Sequence, residues 1–505
     1  MRALNLILLI CVFQNVESAI VDRHSSERKH TSQTTLIERQ QIWNYAAEAI
    51  TSRLSGEKRE SAWGTNVNFT GIWSPSIFDK DIGKGFGVAG LNTFTVKDSA
   101  TASQIDVGYL IHTKNAVDSG YQSAEAIVTL EPHERIGAVQ TTWFQHLDFI
   151  VPKSFAGATV VFAHSHHNTG LSFSTKHKDE FSGSSIEEFL AGTFENTTMG
   201  YEQNKLKYGK ITAQDRETFG FSHVSGKIGY HLIDKNPVRV SIAGVIEIPT
   251  AKVVELEYLF DPRIGSRHLG IGPDASFDVE LYRRASESSS FFLHGKFGAR
   301  YRFSAEDKRI ANVKDFNWGH YALTQKDAAV ARTPLEPAAN ILAHRIHVEK
   351  GISIDGRVTI SYRKRQDTFA AGYAFHCEPH ENNKFKETWT DNLHGIVNTQ
   401  IFTHGYAWDG SSSPIPTIQK PFAIYGNFGA SLTAQSYKTL NLTDLNIELP
   451  ESFLHTFFAS AGKTVSVFDD KMKIALSVGA AYQVAFPKRM CHRSVEMWGQ
   501  LAISF

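Results

Sequence analysis

Over long stretches of this chain, side-chain character alternates with a period of two, and a repeat of that kind belongs to extended strands, in which successive side chains point to opposite faces. In 472–486, Met472, Ile474, Leu476, Val478, Ala480, Tyr482, Val484 and Phe486 form an apolar set, while Lys473, Ser477, Gly479, Gln483 and three alanines form the other. In 289–304, Phe291, Leu293, Phe297, Ala299, Tyr301 and Phe303 oppose His294, Lys296, Arg300 and Arg302. In 269–282, Leu269, Ile271, Ala275, Phe277, Val279 and Leu281 oppose Asp274, Ser276, Asp278 and Glu280.

Alternation alone also suits a soluble sandwich. Three features favour a membrane barrel. The runs reach about ten residues or more, enough to cross a bilayer at a tilt. The polar set mixes both signs of charge with glycine, as a hydrated lumen requires. The links alternate between short and long. Strands are expected at about 121–130, 136–150, 156–166, 216–232, 237–249, 269–283, 289–304, 352–364, 367–377, 396–408, 421–437, 453–466, 471–486 and 495–505, with 62–74 and 104–113 as further candidates. Links ending at Lys153, Lys235, Ser288, Gln366 and Asp470 are short, whereas 167–215, 250–268, 306–351 and 379–394 are mostly long and polar. The expected fold is therefore all-β, a transmembrane antiparallel β-barrel of about fourteen strands (range 12–16), with an N-terminal helix and long outer loops. Lys plus Arg and Asp plus Glu each number 52, which gives no argument for nucleic acid. After the N-terminus no apolar run approaches the ~18 residues of a spanning helix.

Residues 1–18 read as a secretory signal: Arg2, then an apolar run from Leu4 to Phe13, then Val16 and Ser18 before a cut. Residues 19–120 are assigned to an N-terminal segment, periplasmic or plugging. Within it Leu36, Ile37, Trp43, Ala46, Ala47 and Ile50 give a helical period over about 34–53. Residues 121–505 are assigned to the barrel. Once a signal is removed, Cys377 and Cys491 are left, either as one bridge or as two thiols.

The final segment places Val495, Met497, Gly499, Leu501, Ile503 and Phe505 on one face. It resembles the terminal strand of Gram-negative outer-membrane β-barrel proteins, of a porin-like, uncharacterised group. The resemblance implies that Phe505 is an assembly signal read by the barrel-assembly machinery, and that the protein lies in the bacterial outer membrane. Expected partners are outer-membrane lipid, that machinery and small polar solutes, with no nucleic acid. A homo-oligomer is left open, because nothing marks a subunit interface.

The candidate site is the lumen lining: Asp274, Asp278, Glu280, His294, Lys296, Arg300 and Arg302. A turn centred near Glu287 sets Asp274 opposite Arg300, Asp278 opposite Lys296 and Glu280 opposite His294. A weaker candidate is a metal site at His164, His166 and His167, with His177, Asp179 or Glu180 completing it; three or four ligands must converge there. His376, Cys377 and His380 raise the same question. No Gly-x-Ser-x-Gly or phosphate loop is present, so no catalytic residue, cofactor or resident metal is expected. A barrel hydrolase is the enzyme alternative. The leading function is a passive channel for small polar solutes. The alternatives are a non-conducting barrel used in adhesion or membrane structure, and a secreted soluble all-β binding protein.

Overall fold

The computed structural model describes residues 64–505, except 78, 89, 98–103, 107–108, 112–124, 176–182, 198–201, 260, 285–287, 315, 317, 327–333, 397–439, 469–471 and 487–492. Twelve strands close into one ring: β1 (Thr65–Ile77), β2 (His133–His146), β3 (Ser154–Asn168), β4 (Arg216–Lys235), β5 (Val238–Ile248), β6 (Gly270–Arg284), β7 (Ser289–Arg302), β8 (Gly351–Lys364), β9 (Asp367–Glu378), β10 (Ser452–Val467), β11 (Met472–Phe486) and β12 (Arg493–Ser504). Each strand pairs antiparallel with its neighbours in chain order, and β1 closes on β12. At the seam Phe505 and Thr65 exchange both backbone hydrogen bonds, at 3.0 and 3.2 Å.

The alternation forms these strands because the two faces meet different surroundings. Outward side chains are apolar and exposed around the ring, among them Phe69, Trp73, Phe162, Ile228, Ile271, Phe297, Phe369, Phe457 and Leu476. Inward side chains are largely polar and buried, such as Asn66, Thr142, Ser241, Arg357, Thr456 and Gln500. An apolar exterior around a polar interior is the arrangement that a bilayer imposes on a barrel. The five strand pairs β2–β3, β4–β5, β6–β7, β8–β9 and β10–β11 are joined by at most seven residues, at the end that by this rule faces the periplasm.

The ring differs from the sequence expectation in count and in where it begins. It has twelve strands, the lower edge of the expected range. The barrel starts at Thr65, before the expected boundary at 121, because Asn66, Asn68, Thr70, Ile72 and Ser74 supply the inward set of a complete strand. The strand expected at 121–130 is Glu125–Thr129, which pairs outside the ring with Thr93–Lys97 and Ser172–Thr175. Its Ala126 and Val128 go into a separate apolar core, so its alternation serves a different burial. Gln104–Asp106, part of another candidate, joins the same small sheet. The signal at 1–18, the helix at 34–53, Cys491, and the strands at 421–437 and nearly all of 396–408 lie outside the described residues.

That separate core is the second feature of the fold. The long connections at the other end supply Ile82, Phe86, Phe94, Val128, Ile186, Phe189, Leu206, Leu259, Ile310, Trp318, Tyr321, Leu342, Ile396 and Leu445, which pack together. Trp318 is 1 % exposed; its indole N–H donates to Phe86 O at 2.6 Å, and the Tyr321 hydroxyl donates to Gly209 O at 2.5 Å. The loops thus form a cap with a core of its own, built among the described residues from small sheets and short helices.

Candidate functional site

Inside the ring, strands β4 to β8 carry a ladder of charged side chains. Arg300 on β7 reaches Glu247 on β5 at 3.2 Å, across the intervening β6, and also pairs with Asp274 on β6. Arg302 pairs with Glu247 as well. Side chains that bridge over a strand lie on the concave side, so this is the inward face.

The ladder is ordered in cross-strand rows. In the row nearest the short turns, Asp234, Arg239, Asp278 and His294 stand side by side on β4 to β7, acid alternating with base. Asp278 and His294 are 2.5 Å apart, and Arg239 bonds Asp234 at 2.9 Å. The next row runs His231, Ser241, Ser276, Lys296 and Arg357 and contains no acid. Above it stand Ala243, Asp274, Gly298 and Asp355. A Cβ at Gly298 would lie 2.7 Å from the Asp274 carboxylate and 2.8 Å from that of Asp355, so a side chain there would push the carboxylates aside. Lys296 reaches up to Asp274 at 3.4 Å.

The hairpin register is two residues tighter than expected. Asp274 stands opposite Gly298, Asp278 opposite His294 and Glu280 opposite Phe292. The turn is centred slightly before Glu287, and a bulge between Glu280 and Tyr282 removes a further residue. Asp274 still meets Arg300, diagonally, while Asp278 meets His294 in place of Lys296. Glu280 turns away from the ladder to Arg283 on its own strand. Of the expected lining residues, Asp274, His294, Arg300 and Arg302 are buried inside the ring, and Asp278 and Lys296 border the cavity beside them. The sequence reading did not single out Glu247, Lys227 or Arg357. Their inward period was present in 223–231, 239–247 and 353–361, but nothing local marked them as partners of the 269–304 hairpin.

Below Arg300 the ring encloses a cavity of about 120 Å³. Its lining spans the barrel, from Asn66 and Asn68 on β1 to Arg357 on β8. One wall is cationic, with Lys227, Arg239, Lys296 and Arg357. Another is aromatic: Phe144 stacks on Phe155 at 5.2 Å, and Phe155 lies 4.8 Å from the His231 ring. The outer half of the lumen is apolar on the opposite side, where Ile72, Ile136, Val161, Leu454, Phe458 and Trp498 cluster and Ile264 and Leu449 from the cap connections pack onto them. Ion pairs tie the cap to the rim. Lys350 holds Glu378 at 3.2 Å and Glu381 at 3.7 Å, Arg309 holds Glu381, and Arg493 holds Asp81. Asp307 is gripped by Arg263, Arg267 and Arg309. Burial pushes its carboxyl up, but Arg263 and Arg309 outweigh that and hold it down at about 2.

The histidine candidates do not converge. His164 and His166 share the outward face at the rim and pair with Glu217 at 3.4 Å and Asp215 at 3.1 Å, while His167 is buried on the inward face. Strand alternation forces that separation. His177, Asp179 and Glu180 lie outside the described residues, and among the described residues no group of three or more metal-ligating side chains gathers. His376 meets Glu378 at 3.7 Å on the inward side, Cys377 carries no disulfide, and His380 pairs with Glu448 in the cap.

No protein-family model matches the chain, and no curated protein matches it in sequence. Solved structures that resemble it include an outer membrane channel from Pseudomonas putida F1, at 7 % identity and TM-score 0.36, covering 89 % of this chain and 97 % of that one. The Pseudomonas putida toluene transporter TodX has 9 % identity and TM-score 0.34, covering 94 % and 95 %. The transport unit of the autotransporter AIDA-I from Escherichia coli has 8 % identity and TM-score 0.30, covering 91 % and 97 %. At these scores nothing about solute or mechanism carries across. The closed antiparallel ring and its apolar exterior make this an all-β transmembrane barrel of the bacterial outer membrane.

Proposed function

We propose that the chain is an outer-membrane transporter that passes small polar solutes through a narrow lumen shut at its outer end by the cap. The observation that carries this reading is the charge-lined cavity within a twelve-stranded ring. At about eight strands inward side chains just fill a barrel, and a wider ring leaves room for solvent or solute. Carriage of charged groups inside such a ring is the usual means by which a pore sets its preference among solutes. The cap is a folded unit held by ion pairs at the rim, which suits a closure that opens. The test is single-channel recording in planar lipid, comparing the wild type with Trp318→Ala, which empties the centre of the cap core. Rare, small openings in the wild type and frequent ones in the variant are expected. Silence from both, with folded barrels inserted, would remove the transport reading.

A second reading is a non-conducting barrel. The packing of Ile264 and Leu449 onto the inward apolar cluster favours it, because such a contact seals the outer half of the lumen. The same recording separates the two.

A further inference from the structure

We propose that a groove on the outward face of the ring, beside the closing seam, holds a phospholipid with a primary-ammonium headgroup, a phosphatidylethanolamine. Lys463 takes its phosphate and Asp367 its ammonium. The inference goes beyond the transport reading and stands whether or not the barrel conducts.

The first argument is shape. One cross-strand row on the outward face runs Val139, Gly71, Gly499, Val478, Ala461 and Phe369, from β2 across the seam to β9. A Cβ at Gly71 or Gly499 would meet nothing within 4 Å, so the seam at this height is bare backbone on its outer side. The next row toward the short turns runs Phe69, Leu501, Leu476, Lys463 and Asp367. Together the two rows line an open groove of about 750 Å³. Phe69, Val139, Phe369, Leu476 and Val478 are all exposed, so the groove opens to the bilayer and not to the lumen.

The second argument is charge. A charged side chain on the lipid face is costly unless it is paired or reaches the interface. Lys463 has Ala461 and Val465 as outward neighbours on β10 and Leu476 opposite on β11. Asp367 stands directly opposite Lys463 on β9, where acid and base ordinarily pair. Here both side chains are exposed, and neither forms an ion pair with any described residue. Two adjacent free charges of opposite sign are the complement of a headgroup that carries both signs.

The third argument is order. Asp367 is the first residue of β9, whereas Val465 and Val467 still follow Lys463 on β10. Along the strands the base therefore sits further from the short turns than the acid. A phospholipid of the periplasmic leaflet has its charges in the same order, phosphate next to the acyl chains and ammonium outside. A primary ammonium also donates hydrogen bonds to a carboxylate, whereas a quaternary one has no N–H to give. A headgroup with phosphate alone would set its charge beside an unanswered Asp367.

The test is native mass spectrometry of the full chain, folded in detergent and checked for heat-modifiable migration. The probes are phosphatidylethanolamine, phosphatidylcholine and phosphatidylglycerol with identical acyl chains, supplied in equal amounts. Retention of the ethanolamine lipid should exceed that of each of the others by about fivefold, the upper range for exposed charge pairs. Lys463→Gln and Asp367→Asn should each bring it down to the choline level, and Asp367→Asn should also raise the glycerol lipid. Gly499→Leu, which fills the groove floor, should lower all three. The double variant Asp367→Lys with Lys463→Asp reverses the order of charge and should lack the preference. Equal retention of the three lipids by the wild type overturns the inference, as does a preference for the glycerol lipid. Ethanolamine preference that survives both single variants, or Gly499→Leu, or the charge reversal also overturns it.

Discussion

Arg300 holds two acids at once, Asp274 on the neighbouring strand and Glu247 one strand further, with only 5 % of its side chain exposed. Buried ions of this kind are expensive to leave half-paired. Arg300→Met should therefore destabilise the barrel, by about 3 kcal/mol, the low end of what breaking a buried pair costs, because Lys296 and Arg302 remain to hold the two acids. The midpoint of urea unfolding in lipid vesicles measures it, and a change near zero would mean that the ladder is hydrated enough to screen its charges. One residue away in sequence from the ladder's Gly298, the outward face is tested by Phe297→Arg and Phe297→Cys. Near the bilayer midplane an arginine there should cost roughly 2–4 kcal/mol. The cysteine should resist a water-borne thiol reagent that labels Lys296→Cys; the opposite labelling pattern would invert the assigned faces. The facing at these positions was legible in sequence because it follows from the alternation alone. The partners of Arg300 were not, because Glu247 is brought to it by the ring and by nothing adjacent in the chain.

The hairpin of β6 and β7 shows what an element adds to its residues. Its two inward sets were readable from the sequence, but their alignment depended on a turn centre and on a bulge, and neither leaves a mark in a period-two pattern. A shift of two residues keeps every charge on its face and changes every directly opposed residue, although Asp274 still reaches Arg300 diagonally. The register can be checked by double-mutant cycles. Asp278→Asn with His294→Gln should show coupling of about 1 kcal/mol or more, the range of a hydrogen bond to a charged group. Asp278→Asn with Lys296→Gln should be additive within about 0.5 kcal/mol. Coupling in the second pair and none in the first would restore the looser register. Likewise Ile72 and Ser74 place β1 in the ring, although this strand is separated from β2 by more than fifty residues (78–132).

The whole molecule is a ring and a cap, and the two were unequally visible. Long strands repeat one pattern, so the ring announces itself. The cap core draws on short segments from five separate connections, each too short to carry a period, and only the closed ring brings them together. The cap also gives the molecule an acid response whose form can be derived. His320 is fully buried in the cap, and burial alone pulls it down to about 3 from an ordinary value near 6.5, so it is neutral when folded. Unfolding of the cap lets it take a proton at any pH below about 6.5. Its contribution is thus lost as pH falls, by up to ~1.4 kcal/mol per unit, until about 3. Asp307 adds a second loss, confined to the range between its ordinary value near 3.8 and about 2, because Arg263 and Arg309 hold it ionised. Asp261 acts in the other direction. Burial, with Glu257 in support and Arg216 and Arg263 opposing, raises it to about 6. Its stabilising contribution is complete below its ordinary value and is lost as pH rises through about 6. Between pH 6 and 4 the gain from Asp261 therefore offsets the loss from His320, and below pH 4 nothing offsets the combined losses of His320 and Asp307. Protease susceptibility of the cap should accordingly rise only gently from pH 7 to 4, because His394, also held down by burial, adds a loss that Asp261 does not offset, and climb steeply below. Asp261→Asn should bring the climb forward to begin near pH 6, and His320→Phe should leave its onset near pH 4 and make it shallower. If Asp261→Asn and the wild type open along the same curve, Asp261 is not titrating against the cap and the compensation does not exist.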